Sequence, residues 1–270
     1  MLIPALVGGA AAIGASCRWN WWRRPVKNGL PILTYHKVGD YPKGSRLKPL
    51  WVTAKQFREQ MEYVKRNGYT TLTFSELRAI DAGEKPMPEK PLLVTFDDGY
   101  ANNYELAYPI LKELGLKANI FLVHDTLEGK NAWHNPATEP QIPMLTWAQV
   151  KEMQDSGVVE FGSHTMSHKN LARIPLDDAR RELTESKIRL EQRLGREMVG
   201  FAYPYGAGAF VPEVRKAARD AGYRYDFAFR RGLTPWPWKP EHGPILRIYV
   251  RGDDNALDFY LNLSRGRARF

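Results

Sequence analysis

Short apolar runs alternate along this chain with longer segments in which apolar residues recur every three or four positions. The runs predict buried strands, and the periodic segments predict amphipathic helices. Because strands that alternate with helices pair in parallel in most folds, the pattern predicts an α/β fold. The predicted strands cover residues 31–36, 69–72, 92–96, 117–123, 158–161, 224–229 and 245–250. The predicted helices cover residues 53–67, 75–82, 102–114, 147–154, 176–194, 211–221 and 256–263.

Two adjacent carboxylates, Asp97 and Asp98, follow the apolar run 92–96 and precede Gly99. Successive strand side chains point to opposite faces, so the two can share a site only where the strand has ended and the backbone turns. We therefore expect them at the C-terminal end of this strand, the edge where α/β folds build their sites. Neighbouring carboxylates are costly to keep ionised unless a cation shares the site, so the pair indicates a metal.

Two histidines, His164 and His168, stand four residues apart just after the apolar run 158–161. This spacing suits two ligands on one cation. Taken alone, the Asp-Asp-Gly sequence fits a simple turn, and the two histidines fit surface or packing positions. Their occurrence together favours a metal site.

The composition bounds the remaining possibilities. The chain has 270 residues and a formal net charge of +9, which favours anionic surfaces or serves solubility. No nucleic-acid-binding motif is present, and we expect no nucleic-acid partner. The single cysteine, Cys17, rules out an intramolecular disulfide.

The first 27 residues differ in character from the rest of the chain. Residues 1–16 are uncharged and apolar, and residues 18–27 contain tryptophans and basic residues. This predicts a membrane-associating or signal-like segment at 1–27 and a folded domain at 28–270. The protein is then expected to be membrane-associated or extracytoplasmic, in the periplasm or cell envelope, and the sequence leaves the topology open.

The two motifs resemble those of a known family. The sequence TFDDG at 95–99 and the sequence HTMSH at 164–168 match the first two motifs of NodB-type polysaccharide deacetylases, carbohydrate esterase family 4. The resemblance covers residues 31–250 and is strongest to the branch that acts on poly-N-acetylglucosamine. It implies a distorted (β/α) barrel of about seven strands, with the catalytic rim at the strand C-termini.

The resemblance also implies roles for individual residues. Asp98, His164 and His168 would bind a divalent metal, usually zinc, with cobalt or nickel as alternatives. Asp97 would be the general base that takes a proton from the attacking water. The backbone amide of Tyr205, in the third-motif sequence AYPYG at 202–206, would stabilise the oxyanion.

Two family residues are missing. Ala202 stands where other members have an arginine that orients the base, and Ile248 stands where they have the histidine that protonates the leaving amine. His36, at the end of the first predicted strand, is our candidate for the missing acid. It could instead be a buried structural histidine or a neighbour of the metal. His242 is a weaker candidate.

Aromatic residues near the predicted strand ends are candidates for substrate binding, because sugar rings present apolar faces. We select Tyr203, Tyr205 and Trp236 as substrate-binding residues. The fourth family motif, an Asp and a Trp, has no secure match. Asp226 is the candidate for its acid, and Trp236 or Trp238 for its tryptophan.

The sequence thus predicts a metal-dependent hydrolase of linear amides that removes N-acetyl groups from an N-acetylhexosamine-containing polysaccharide and releases acetate. One alternative is a deformylase or deacetylase of a lipid-linked amino sugar. Another is a non-catalytic glycan-binding protein on a decayed site, and a third is a membrane-bound scaffold that uses only its basic surface.

Overall fold

The computed structural model describes residues 29–268 and the single residue 14. The segment predicted at 1–27 therefore lies outside the described residues, apart from residue 14. None of the helices in the described part of the chain combines the length and the apolar character that a membrane span requires.

Seven parallel strands form the central sheet, in the order β6-β5-β4-β3-β2-β1-β7. The segment before β7 also bonds the opposite edge of the sheet, because the Ile245 N–H donates to the Asp226 carbonyl at 2.8 Å. Residues 245–249 therefore touch both edges and close a distorted barrel, as expected. The strands are β1 (Ile32–Tyr35), β2 (Pro91–Phe96), β3 (Ala118–Leu122), β4 (Val159–Ser163), β5 (Gly200–Ala202), β6 (Tyr225–Phe227) and β7 (Ile248–Tyr249).

Within residues 29–268, seven helices flank the sheet, and four of them begin with a capping box. The second helix begins at Phe74, one residue before the predicted start at 75, because the Thr73 hydroxyl caps it by accepting the Glu76 N–H. The helices around the sheet are α1 (Ala54–Arg66), α2 (Phe74–Asp81), α3 (Tyr108–Leu114), α4 (Trp147–Asp155), α5 (Leu176–Leu194), α6 (Pro212–Asp220) and α7 (Ala256–Arg265).

Two of the predicted elements are less regular than expected. The helix predicted at 102–114 begins with a π-helical turn, Asn103–Ala107, before α3. Pro109 explains this irregularity, because it has no N–H for the carbonyl four residues earlier. The strand predicted at 245–250 is regular only at β7, because the chain there crosses from one sheet edge to the other.

Short elements complete the fold. Gly29–Leu30 pairs antiparallel with Thr234–Pro235. Lys37–Val38 pairs with Trp51–Val52, and Thr70–Thr71 pairs with β2. Single 3-10 turns occur at Lys48–Leu50, His124–Thr126, Pro204–Gly206 and Pro240–His242.

Alternation along β2 decides where the core and the site lie. Val94 and Phe96 pack in the large core cluster shared with the helices, whereas Leu93 packs in a second cluster with Phe121 of β3. Thr95 and Asp97 follow Leu93 at period two, and both are buried. The same periodicity that buries the apolar residues therefore carries Asp97 into the protein interior.

Candidate active site

The turn after β2 lets two neighbouring carboxylates enter one cavity. Asp98 has a φ of 77° and Gly99 a φ of 83°, so the strand ends and the backbone reverses at this point. A Cβ on Gly99 would approach Leu122 Cδ2 to 2.9 Å. Asp97 and Asp98 are both buried and both line the same cavity, as the sequence predicts.

Asp98 lies against the two motif histidines. Its Oδ1 atom is 3.3 Å from His164 Nε2 and 3.2 Å from His168 Nε2. The three donor atoms all lie within 4.8 Å of one another, and the three side chains are buried. The structure therefore brings together the three residues predicted to hold a metal.

The chemistry of these donors fits a divalent cation. The His164 Nδ1 atom lies 2.7 Å from the Ala202 carbonyl and donates to it, which leaves the Nε2 lone pair free for a metal. Burial lowers the pKa of His168 and so favours the neutral imidazole that a metal needs. Burial raises the pKa of Asp98, but the close contacts of its carboxylate with His164 and His168 outweigh this effect, so that its pKa lies well below the usual range.

Asp97 is held by Arg247, a residue that the sequence analysis did not select. Two guanidinium nitrogens of Arg247 donate to the two carboxylate oxygens of Asp97, at 2.6 and 2.8 Å. Burial raises the pKa of Asp97, but the charge of Arg247 outweighs it, and its pKa lies below the usual range. The arginine missing at Ala202 is thus replaced by the guanidinium of Arg247, from the segment just before β7.

Arg247 is itself fixed on all sides. It is buried, its Nε donates to the Ala228 carbonyl at 3.1 Å, and its Nη1 lies 3.4 Å from Thr95 Oγ1. The signal for it was present in the sequence, because an arginine inside a predicted strand has to find an acidic partner to be buried. The family motif that aligns here is recognised by its histidine, whose place is taken by Ile248, so the motif itself does not single out Arg247.

His36 lies beside the predicted base. Its Nε2 atom is 3.9 Å from Asp97 Oδ2, and its Nδ1 atom is buried without a partner in the described part of the protein. Phe229 and Tyr249 pack against its ring at centroid distances of 5.5 and 6.0 Å. Burial lowers the pKa of His36, although Asp97 and Asp98 act in the opposite direction.

The third-motif tyrosines have different environments. Tyr205 adopts a left-handed φ of 58°, is 55% exposed, and lies over His168 at 4.6 Å between ring centroids. Tyr203 is buried, and its hydroxyl donates to Asp226 at 3.0 Å. Arg215 completes this group through two nitrogens at 2.8 and 3.1 Å from the Asp226 carboxylate. Both tyrosines line the cavity, whereas Asp226 supports it from behind.

The cavity has a volume of about 570 Å³, within the range of small-molecule sites. Trp133, in the long loop between β3 and α4, stacks on the His168 ring at 4.1 Å. That loop is joined to the opposite wall, because the buried Glu139 carboxylate accepts from the Ser45 hydroxyl at 2.6 Å and from the Arg46 N–H at 2.7 Å. Trp133 was not among the substrate-binding residues that we selected from the sequence, although it is an aromatic residue in a loop.

Three candidates do not reach this cavity. Trp236 was wrongly selected for substrate binding, because it lines a different cavity near the start of β2 and donates to Asp81 at 3.0 Å. Trp238 is buried and donates to the Gly243 carbonyl at 3.0 Å. His242 lies exposed in the turn Pro240–His242. The order of residues along the chain does not reveal at which end of a barrel a loop residue lies.

The sequence of the chain is similar to those of known proteins. The family described as polysaccharide deacetylase matches residues 84–225. YxkH of Bacillus subtilis (strain 168) is 34% identical over 206 residues, which cover 76% of this chain and 66% of YxkH. The poly-beta-1,6-N-acetyl-D-glucosamine N-deacetylase of Escherichia coli (strain K12) is 29% identical over 239 residues, covering 77% of this chain and 35% of that enzyme.

A solved structure agrees. The crystal structure of BC0361, a polysaccharide deacetylase from Bacillus cereus, superposes with a TM-score of 0.72 at 28% identity, over 87% of this chain and 69% of that one. The chain spans about two thirds of YxkH and about a third of the Escherichia coli enzyme. On the match over residues 84–225, together with the barrel and the two complete motifs, the chain belongs to the polysaccharide deacetylase family.

Proposed function

We propose that this protein is a metal-dependent N-deacetylase of an N-acetylhexosamine-containing polysaccharide, releasing acetate and leaving a free amine. The observation that carries the proposal is one buried arrangement. Three convergent metal donors lie beside a carboxylate, Asp97, that a bidentate arginine keeps ionised. A binding protein has no use for such a base, so the decayed-site alternative is not favoured.

A divalent metal held by Asp98, His164 and His168 would act as a Lewis acid and lower the pKa of water at the site. Zinc is our proposed ion because two imidazoles and one carboxylate suit it. Asp97 accepts the proton of the attacking water on its carboxylate. The Arg247 pair keeps Asp97 unprotonated until that step and aims its oxygens.

The tetrahedral oxyanion that follows needs a donor. We assign that role to the backbone N–H of Tyr205, whose left-handed conformation fixes the direction of the peptide at the cavity wall. The buried Tyr203–Asp226–Arg215 group holds the strand end on which this turn is built. These contacts make the turn rigid, so the donor is in place before the charge develops.

The leaving amine needs a proton, and His36 is our proposed source. Its Nε2 atom faces Asp97 at 3.9 Å, so the two groups share the same side of the cavity. Burial lowers the pKa of His36, which makes its protonated form a good donor once it has received a proton.

The names of the relatives support the substrate class. The Escherichia coli relative is named for poly-beta-1,6-N-acetyl-D-glucosamine, and we propose a glycan of the same N-acetylhexosamine class here. We also propose an extracytoplasmic, membrane-associated location, because residues 1–16 are uncharged and apolar and residues 18–27 contain tryptophans and basic residues. The N-terminal residues would supply the association.

The test is acetate release from N-acetylglucosamine oligomers by the full chain, with added zinc and with chelator. We expect zinc-dependent release, and a loss of about 10³-fold in the Asp97→Asn variant because the base is removed. The matched variant Asp81→Asn should keep the rate within about twofold, because Asp81 does not line the active-site cavity and asparagine keeps an oxygen acceptor for Trp236 and Tyr225. Absence of release with every divalent metal tried would overturn the proposal.

A further inference from the structure

The loop after β5 exposes two large aromatic side chains. Tyr205 and Phe210 are five positions apart and are 55% and 51% exposed. Tyr205 lines the active-site cavity, whereas Phe210 lies outside its lining. Large exposed apolar side chains are few in the described part of this chain, so two in one loop beside the site point to a ligand.

Phe210 is connected to the cavity through a neighbouring loop. The Arg230 guanidinium carbon lies 5.0 Å from the centre of the Phe210 ring. Arg230 directly follows Phe229, which lines the cavity. Gly206, directly after Tyr205, packs so closely on Phe229 that an added Cβ would approach the Phe229 Cβ to 2.9 Å. Phe210 therefore lies at the rim of the cavity, on the side where Tyr205 lines it.

The Arg230 guanidinium is available to a ligand. It is exposed, and no carboxylate in residues 29–268 lies within 4.0 Å of it. Its backbone is fixed, because the Arg230 carbonyl accepts from the Arg247 N–H at 3.1 Å. The stacked guanidinium also restricts the Phe210 ring, which reduces the entropy lost when a ligand covers the ring.

We propose that Phe210 and Arg230 form a second glycan subsite, which binds a sugar unit next to the one whose acetamide faces Asp97. This inference rests on the proposed function. The cavity of about 570 Å³ is open, so a polymer has to leave it across the rim. A sugar ring packs its apolar face on the Phe210 ring, and the guanidinium donates to hydroxyl or acetamide oxygens.

Binding measurements on the full chain test the subsite. The Asp97→Asn protein, in which turnover is stopped, is titrated with N-acetylglucosamine and with its pentamer. Adding Phe210→Ala should lower the ratio of pentamer to monomer affinity about five- to tenfold, the size expected for one aromatic contact. Adding Arg230→Met instead should lower the same ratio about threefold, since one cation–π contact and its hydrogen bonds are lost.

Tyr260→Ala is the matched control, because Tyr260 is an aromatic residue of α7 that is 45% exposed. It should leave the ratio unchanged. An equal loss for monomer and pentamer in the Phe210→Ala protein would overturn the subsite, because it would show that the residue supports the cavity itself. An unchanged ratio would overturn it as well.

Wild-type acetate release separates this inference from the proposed function. If the wild type deacetylates the pentamer while Phe210→Ala leaves the affinity ratio unchanged, only the subsite fails. If the Asp97→Asn protein binds no oligomer and the wild type releases no acetate, both the subsite and the proposed function fail.

Discussion

The barrel carries a large cavity near each end, and the two are similar in size but not in chemistry. The cavity at the C-terminal ends of the strands measures about 570 Å³, and the one near the start of β2 about 650 Å³. The larger one contains Asp81, whose carboxylate is already used by Trp236 and by the Tyr225 hydroxyl. The smaller one contains two buried carboxylates that face imidazoles and a guanidinium.

Backbone strain separates the two ends further. Three of the five non-glycine residues with positive φ in the described chain, Asp98, His168 and Tyr205, line the smaller cavity, and a fourth, Thr165, directly follows its lining residue His164. Each such residue costs roughly 1–3 kcal/mol and persists only where the surrounding structure imposes it. The volume of a cavity alone therefore does not identify a functional site, whereas convergent buried charges and a strained backbone do.

The largest effect should come from removing a metal ligand. His168→Ala removes one of the three metal donors, so we expect the protein to lose bound zinc. Its activity should fall by about 10³-fold or more, because the metal that would activate the attacking water is lost. Metal content by mass spectrometry and acetate release measure the two effects. The control is His242→Ala, an exposed histidine, which should keep both. Full zinc content in the His168→Ala protein would contradict the assigned site.

The next effect concerns the pair that holds the base. Arg247→Met should reduce kcat/KM by about 10²-fold, since general-base catalysis depends on an ionised and oriented carboxylate. Removing the arginine charge lets burial raise the pKa of Asp97. The acidic limb of the kcat/KM profile then moves to higher pH, because less of the carboxylate is ionised at a given pH.

A double variant checks this coupling. Arg247→Met should cost little further activity in the Asp97→Asn background, because its effect acts through Asp97. Additive losses, or an acidic limb that does not move in the single variant, would mean that Arg247 acts on folding alone.

A smaller effect should follow from removing the proposed acid. His36→Gln should lower kcat/KM about tenfold, at the low end for acid catalysis, and should remove the basic limb of the profile. Because burial lowers the pKa of His36, we expect that limb in the wild type to lie below the usual histidine range. The pH dependence of acetate release measures it. Full activity across the pH range in the variant would exclude His36 as the acid.

The smallest effect is expected at the other end of the barrel. Trp236→Ala should change kcat/KM by less than about twofold while lowering the melting temperature by a few degrees, as for the loss of a partly buried side chain. Trp133→Ala is the matched variant at the site and should lower kcat/KM about tenfold, because Trp133 stacks on His168. A similar loss in both variants would break the distinction between the two cavities.

The parts of the site that could be predicted lie in short, continuous motifs. Asp97, Asp98, His164 and His168 each follow an apolar strand, and parallel strands bring their C-terminal ends to one edge. Their meeting therefore follows from the order of elements alone. Helix boundaries were also predicted closely, because capping residues and terminal glycines are local signals.

The parts that could not be predicted depend on side chains far apart in sequence. Arg247 and Asp97 are 150 positions apart in the sequence, so the residues around one give no indication of the other. Trp133 stacks on His168 from a long loop that Glu139 joins to the opposite wall, and neither contact can be read from the sequence. Trp236 was misplaced because a loop residue near a strand can face either end of the barrel.

The sequence by itself determined the alternation of strands and helices, because hydrophobic period and local turn chemistry act over a few residues. Its two continuous motifs indicated the four residues Asp97, Asp98, His164 and His168, and the family resemblance of these motifs implied the barrel. Only the tertiary structure decided what holds Asp97 ionised, which aromatic residues line the cavity, and which of two cavities carries buried charge. The physical reason is that a buried charge is tolerable only with a partner, and partners are chosen by proximity in space, which closing the barrel creates.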